Sequence, residues 1–201
     1  MRQYTICHTA GVPDWEKVPA LDIDTALWRE KPDIEARAKL CWSDDALHVL
    51  LWAREAHIRA EHLGPLGMPC EDSCLEFFFS PLWGDSRYFN IEYNPNACLY
   101  LGFGDGENPV RLLPERDWFK ARSQRTQDGW QVEYAVPFEF VRLFFPGFAP
   151  KAGDRIRANC YKCGDLTPKE HYLAWNPCTS EVPNFHRPRD FGEMTFGGGQ
   201  A

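Results

Sequence analysis

Short segments in which apolar and polar residues alternate follow one another along most of this chain, and they restrict its fold more than any other feature. Residues 34–42 alternate with a period of two, as in a half-buried strand. A turn at Asp44 and Asp45 leads to residues 47–55, the predicted hairpin partner. Further strands are predicted at 73–80, 87–94, 97–103, 130–136, 154–162 and 193–196.

Helical signal is scarce by comparison. Pro137 followed by residues 138–145 is the one convincing helix start, and the segment is short. A parallel sheet would need crossover helices that this chain does not supply. The sequence therefore predicts an all-β fold, an antiparallel, jelly-roll-like β-sandwich of about nine to ten strands with one short helix. No repeat or linker interrupts it, so a single domain is expected over residues 1–201.

The net charge of −7 opposes nucleic-acid binding, which depends on cationic side chains that neutralise phosphates. No basic amphipathic segment marks a membrane surface, and no apolar run approaches the roughly 18 residues of a membrane span. The first residues also lack the apolar run of a signal peptide. We therefore expect a soluble, cytoplasmic protein, or an extracellular one if a leader was removed, with neither nucleic acid nor membrane as a partner. The sequence leaves the oligomeric state open.

Residues 159–192 crowd aromatic, amide and charged side chains into segments that Gly and Pro interrupt. Trp175 stands next to Asn176, with Lys162 before them and His186 after them. An aromatic face covers the C–H surface of a sugar ring, while amide and charged groups bond its hydroxyls. The sequence thus predicts a sugar-binding cluster, with the indole open at the rim of the sandwich. In the alternative, Trp175 plugs one end of the sandwich and His186 bonds loop carbonyls.

Two predicted strands carry polar residues that would extend such a site. Asn90 and Glu92 share one face of their strand because side chains alternate across it. They would bond several hydroxyls or, alternatively, form a solvent-facing row. Glu76 lies in a strongly apolar strand, where an unpaired carboxylate is costly. We expect it to face a ligand cleft or to form an internal salt bridge with Arg87 or Lys162.

Five stretches along the chain carry a family resemblance: residues 71–78, 88–94, 158–165, 175–177, and 185–188 with 191–192. Together they resemble the carbohydrate-binding family 9-like domains, which are related to family 9 xylanase modules and DOMON-type sandwiches. The resemblance implies a β-sandwich that binds sugar without cleaving it, clamping a terminal sugar between two Trp rings beside a strand carboxylate. Trp175 matches the second ring and Glu76 the carboxylate, whereas Cys70 or Glu71 stands in place of the first ring.

The eight cysteines are expected as reduced, mostly buried thiols, because no secretion signal accompanies them. Cys160 and Cys163 have the spacing of zinc ligands, but a spacing of three along a strand sends them to opposite faces. We predict no cofactor and no metal ligands among the site residues. Glu71 and Asp72 would suit a structural Ca²⁺, although capping a turn is the better interpretation of Asp72.

No catalytic motif is present, and we assign no catalytic residue. The leading prediction is non-catalytic recognition of a mono- or oligosaccharide end, with a dissociation constant in the micromolar to millimolar range. One alternative is a glycoside hydrolase in which Glu76 and Glu92 form the acid pair. Another is a DOMON-like binder of a metal or cofactor.

Overall fold

The computed structural model describes residues 1–106 and 109–200, and its regular secondary structure is almost entirely strand, so the all-β prediction is confirmed. The strands are β1 (Gln3–His8), β2 (Leu21–Asp22), β3 (Thr25–Ala26), β4 (Glu35–Trp42), β5 (Ala46–Arg54), β6 (Cys74–Ser80), β7 (Tyr88–Tyr93), β8 (Leu99–Gly104), β9 (Val110–Leu112), β10 (Arg122–Arg125), β11 (Gly129–Pro137), β12 (Arg155–Gly164), β13 (His171–Ala174) and β14 (Gly192–Gln200). One α-helix, α1 (Phe138–Arg142), follows β11, and two short 3-10 helices lie at Pro69–Glu71 and Pro188–Asp190. Among the described residues no helix has the length and apolar character needed to cross a membrane.

The described residues form one sheet of 14 strands, more than the expected nine to ten. Its main path runs β10-β11-β5-β4-β1-β14-β12-β6-β7-β8-β9, with β13 beside β12. β2 and β3 are additions of two residues each, at β4 and β13 respectively. Such short strands contain too few residues for alternation to be recognised, which is why the sequence underestimates the count.

The expectation of a purely antiparallel sheet is wrong at β1. This strand pairs in parallel with β14, where Thr5 lies opposite Thr195, and with β4, where Cys7 lies opposite Cys41. Parallel neighbours need a long connection instead of a hairpin. The chain supplies it without crossover helices, because residues 9–34 join β1 to β4 and most of the chain lies between β1 and β14.

The sheet folds over so that β5 and β11 face β6 and β7 across an apolar core. Ring contacts cross this core: the ring centroids of Tyr93 on β7 and Tyr134 on β11 lie 5.1 Å apart. Phe89 on β7 also meets Phe140 of α1 at 5.4 Å. Each strand contributes alternate residues to the core, so the residues between them point to the outer face.

The outer face of β6, β7, β12 and β13 is covered as well. The segment after β13 folds back over it: Phe185 stacks on Tyr161 of β12 at 4.0 Å, and Phe191 meets Phe78 of β6 edge-on at 6.3 Å. A second apolar cluster, which we call the outer cluster, forms there around these rings. This half of the sheet is therefore buried on both faces, and polar side chains on its outer face lie beneath loops.

All eight cysteines lie among the described residues, and their thiols are free, as expected. Cys160 belongs to the main core and Cys163 to the outer cluster. The alternation of β12 thus separates the two thiols, in agreement with the argument against a zinc site built from that spacing.

Candidate functional site

A cleft of about 230 Å³ opens on the outer face, above β6, β7 and β8 and beneath the loops that cover them. Glu76 and Glu92 line it from the strands, and Trp28 and His186 line it from the loops. Three of the predicted site residues therefore meet in one place: Glu76, Glu92 and His186.

The two glutamates stand side by side at the floor of the cleft. Glu76 on β6 lies directly opposite Glu92 on β7 in the antiparallel register, which brings such side chains within contact distance. Only 2% of Glu76 and 5% of Glu92 is exposed. Cys163 donates its S–H to Oε1 of Glu76 at 3.0 Å, and the amide of Asn90 donates to Oε1 of Glu92 at 2.7 Å.

Burial keeps protons on this pair near neutral pH. Burial raises the pKa of Glu92 to about 7 against the opposing effect of the Asn90 hydrogen bond. Burial, followed by the charge of Glu92, raises the pKa of Glu76 well above its ordinary value. The alternative of an internal salt bridge for Glu76 is wrong: Arg87 pairs with Asp85 at 2.6 Å, and Lys162 pairs with Glu55 on the other face. The floor can therefore both donate and accept hydrogen bonds.

Aromatic rings form the walls of the cleft. Trp28 is half-buried, its Nε1 donates to the carbonyl of Ser180 at 2.7 Å, and its ring meets Tyr172 edge-on at 5.4 Å. Its φ of 55° lies in the left-handed region, which a tryptophan adopts only where surrounding contacts hold it. Tyr100 lines the cleft from β8, and the guanidinium of Arg111 lies 4.5 Å from its ring centroid.

Polar groups complete the rim. The Nδ1 atom of His186 lies 2.9 Å from the Tyr88 hydroxyl, and its ring lies 5.3 Å from that of Phe78, so the imidazole is held in place. Asn184 and Asp165 also line the cleft, and burial raises the pKa of Asp165. Carboxyl, amide and imidazole groups thus surround a space bounded by rings.

Asn90 is buried beneath the floor and does not line the cleft. A Cβ at position 102 on β8 would lie 2.0 Å from its Oδ1, so the glycine there makes room for the amide. The prediction that Asn90 and Glu92 share one face is confirmed, whereas the solvent-facing alternative is wrong because both are buried. Asn90 orients Glu92 from below.

Trp175 belongs to the main core, with only 3% of its surface exposed. The backbone N–H of Trp175 donates to the carbonyl of Cys160 at 2.8 Å, which continues the pairing of β13 with β12. Alternation therefore places the indole on the core face beside Leu173. The expectation of an open indole at the rim is wrong, because the indole is buried in the main core.

Lys162 also points into the interior, and none of its surface is exposed. Its Nζ lies 3.3 Å from Oε2 of Glu55 and 2.8 Å from Nε2 of His171. Burial, followed by the charge of Lys162, lowers the pKa of His171 to about 4, so the imidazole is neutral and accepts from the ammonium. Lys162 does not line the cleft, because alternation along β12 turns it away.

Asn176 joins three separate segments of the chain and does not line the cleft. Its Oδ1 accepts from the backbone N–H of Arg2 at 2.8 Å, and its Nδ2 donates to the carbonyl of Asp190 at 2.7 Å. Its own N–H donates to Oδ1 of Asn159 at 2.8 Å. These bonds satisfy the amide and hold it away from the cleft.

Asp72 organises the loop before β6. Its Oδ2 accepts from the backbone N–H groups of Glu61 and His62 at 3.0 and 2.9 Å and from Nδ2 of Asn94 at 2.8 Å. Arg59 lies 3.3 Å from its Oδ1. A carboxylate already bonded to loop amides and a guanidinium favours the capping interpretation over a Ca²⁺ ligand.

Sequence reasoning missed the rings that line the cleft. Tyr100 could have been found, since it lies directly opposite Glu92 in a predicted hairpin and shares its face. Trp28 could not, because it lies in a segment without periodicity and reaches the cleft only through the tertiary path of the chain. Tyr172 belongs to β13, a strand that the sequence did not predict.

Larger cavities lie elsewhere among the described residues, among them one of about 670 Å³ beside His48 and Glu133 and one of about 480 Å³ beside Trp83 and Arg157. His48 bonds Ser43 at 3.1 Å, and Arg157 donates to a backbone carbonyl at 3.0 Å. The smaller cleft differs because its buried carboxyl groups keep bonding capacity for a ligand.

Over most of its length the chain is similar to known carbohydrate-binding proteins. The family model described as carbohydrate-binding family 9 matches residues 10–196. A crystal structure of a candidate carbohydrate-binding protein from Bacteroides uniformis is 25% identical, with a TM-score of 0.84, over 97% of this chain and 99% of that one. A family 9 carbohydrate-binding module from Caldicellulosiruptor kristjanssonii in complex with glucose is 14% identical, with a TM-score of 0.71, over 100% and 97%. A structure of a family 9 carbohydrate-binding module from the same organism in complex with cellotriose is 14% identical, with a TM-score of 0.70, over 100% of this chain and 95% of that one. No curated protein matches the chain.

Proposed function

The chain belongs to carbohydrate-binding family 9, and from this membership and the geometry of the cleft we propose that it binds the end of a mono- or oligosaccharide without cleaving it. The proposed ligand contacts are Glu76 and Glu92 at the floor, Trp28 and Tyr100 at the walls, and His186 at the rim. Trp28 and Tyr100 were not among the site residues predicted from the sequence.

The observation that carries this proposal is the pair of buried glutamates in a ring-lined cleft. Neighbouring hydroxyls of a sugar each need a donor and an acceptor, and a carboxyl pair that shares protons offers both. The C–H face of a sugar ring packs against aromatic surface, which Trp28 and Tyr100 supply. Glu76 and Glu92 would bond the hydroxyls while the rings exclude water from those bonds.

The size of the cleft favours a single sugar residue. Its volume of about 230 Å³ lies below the roughly 300–1,000 Å³ typical of clefts for drug-sized ligands. An oligosaccharide would therefore enter by one end, with the rest of the chain in solvent. The Caldicellulosiruptor module is in complex with glucose and with cellotriose, which supports a glucose-type ligand for this chain.

The placement of the two acids argues for binding over hydrolysis. A glycosidase sets its two carboxyl groups on either side of the scissile bond. Glu76 and Glu92 instead rise from adjacent strands of one sheet face, so both approach a ligand from below. Neither could act from the opposite side of the sugar ring.

Calorimetric titration with glucose, cellobiose, cellotriose and unrelated monosaccharides tests the proposal. We expect a micromolar to millimolar dissociation constant for at least one glucose-type ligand. Glu92→Gln should weaken that affinity about 10- to 100-fold, because a hydrogen bond to a charged or partly charged group contributes about 1.5–3 kcal/mol.

Glu133→Gln provides the matched control, since Glu133 lies on β11 in the other half of the sheet. This variant should bind like the unmodified protein. If the Glu92→Gln variant and the unmodified protein had equal affinity, the ligand would bind at another site. If no saccharide of the panel bound, the proposed function would be wrong.

A further inference from the structure

Two thiols and a carboxyl group converge at the floor of the cleft. The Sγ atoms of Cys74 and Cys163 and a carboxylate oxygen of Glu76 all lie within 4.8 Å of one another. All three residues are buried. The sequence gives no hint of this set, because the pair of thiols comes from β6 and β12, far apart along the chain.

The sheet fixes these three donors with little freedom. Cys74 and Glu76 are two residues apart on β6 and therefore point to the same face. Cys163 on β12 lies directly opposite Cys74 in the antiparallel register. Ligands carried by paired strands hold their geometry better than ligands on loops, which lowers the cost of organising a site.

We propose that Cys74, Cys163 and Glu76 bind a divalent metal ion of borderline softness, with Zn²⁺ preferred. Two thiolates and one carboxylate suit Zn²⁺, whereas Ca²⁺ and Mg²⁺ select sites made of oxygen alone. Three protein ligands leave a fourth tetrahedral position. Glu76 and Cys163 line the cleft, so the fourth ligand is water or a hydroxyl group from the cleft side.

The electrostatics of the cleft suit a cation. Glu92 and Asp165 add two more carboxyl groups, and no lysine or arginine is among the described residues that line the space. Binding replaces the protons of both thiols and of Glu76 with one divalent ion, so the cluster changes from neutral to a single negative charge. Uptake therefore releases protons and strengthens as pH rises.

Cys160 and Cys178 do not belong to this set. Cys160 points into the main core, on the opposite face of the strand. Cys178 lies 3.9 Å from the Tyr161 hydroxyl, outside the cluster of three donors. These two residues therefore offer controls that remove a thiol without removing a ligand.

The test uses protein reduced, stripped with a chelator and titrated with Co²⁺ in the absence of any saccharide. We expect one Co²⁺ per chain, a near-ultraviolet thiolate-to-cobalt charge-transfer band, and loss of that band when Zn²⁺ is added. Ca²⁺ and Mg²⁺ should leave the band unchanged. Cys163→Ser should weaken Co²⁺ binding by more than about 100-fold, beyond the loss seen for an outer-shell partner.

Cys178→Ser and Cys160→Ala should keep both the band and the affinity. If Cys163→Ser folds poorly, Glu76→Gln gives a second readout: it should weaken binding at least about tenfold while the thiolate band persists. No band in the reduced protein, or a band that survives in the Cys74→Ser/Cys163→Ser double variant, overturns the site. Because no sugar is present, the metal titration tests the metal site independently of the proposed saccharide binding.

Discussion

Buried carboxylates lie against both faces of the half-sheet formed by β6, β7, β12 and β13, and their surroundings differ between the two faces. On the core face, Glu55 accepts hydrogen bonds from Nε1 of Trp130 at 2.8 Å and from Oγ of Ser73 at 3.0 Å, and Lys162 neutralises it at 3.3 Å. On the outer face, Glu76 and Glu92 receive one thiol and one amide donor, and no described lysine or arginine lines their cleft.

This contrast distinguishes Glu55, which stabilises the fold, from Glu76 and Glu92, which remain able to bind a ligand. Glu55 has a donor for each oxygen and a counter-charge, so it offers a ligand nothing. An incompletely paired buried carboxyl costs stability, and such groups concentrate at functional sites because a ligand completes their bonds. The same residue type at similar burial therefore has opposite roles on the two faces.

Breaking the core-face pair should produce the largest effect. Lys162→Met leaves the Glu55 charge buried without a cation, and we expect the free energy of unfolding to fall by about 3–5 kcal/mol. Urea denaturation at neutral pH measures it. Glu92→Gln, which removes an uncompensated acid from the outer face, should leave that free energy within about 0.5 kcal/mol or raise it. Similar losses in both variants would contradict the distinction between the two faces.

The two faces should also respond to pH in opposite directions. Burial raises the pKa of Glu92 to about 7 from its ordinary 4.5, so its contribution to stability is complete below about pH 4.5 and is lost as pH rises to about 7. Burial lowers the pKa of His171 to about 4 from 6.5, so its contribution is present above about pH 6.5 and is lost as pH falls to about 4. Differences of this size correspond to about 3 kcal/mol each.

Substitution at Glu92 isolates the outer-face part of this profile. The free energy of unfolding of metal-free protein, minus that of the Glu92→Gln variant, should fall by about 3 kcal/mol between pH 4.5 and 7. Denaturant unfolding at several pH values gives the difference directly. A difference that stays constant over this range would mean that Glu92 titrates as an ordinary exposed acid.

The alternation of the strands accounts for what the sequence predicted and for what it did not. It placed Asn90 and Glu92 on one face because their strand is long enough to show the period. β13 has only four residues, all buried, so its segment looked like a loop. Without that strand nothing assigned Trp175 to the core face.

Other parts of the site depend on tertiary structure that no local pattern encodes. The same alternation places Lys162 on the core face, but its partner Glu55 becomes visible only when β5 and β12 are brought together. Trp28 reaches the cleft through a loop held by a hydrogen bond to the carbonyl of Ser180. The pairing of Cys74 with Cys163 likewise follows from the register of β6 and β12, which spacing along the chain does not reveal.

The smallest expected effect concerns the two indoles. Trp28 lines the cleft and Trp175 fills the core, so substitutions should separate ligand binding from stability. Trp28→Ala should weaken saccharide binding about two- to tenfold, because stacking on a ring contributes about 0.5–1.5 kcal/mol beyond area burial. Trp175→Phe should preserve the affinity and lower the free energy of unfolding by about 1–3 kcal/mol, since the smaller ring leaves a void in the core. Saccharide titrations paired with urea denaturation measure both quantities on each variant. If Trp175→Phe weakened binding more than Trp28→Ala did in protein shown to be folded, the ligand would lie nearer the core face and the assignment of the cleft would be wrong.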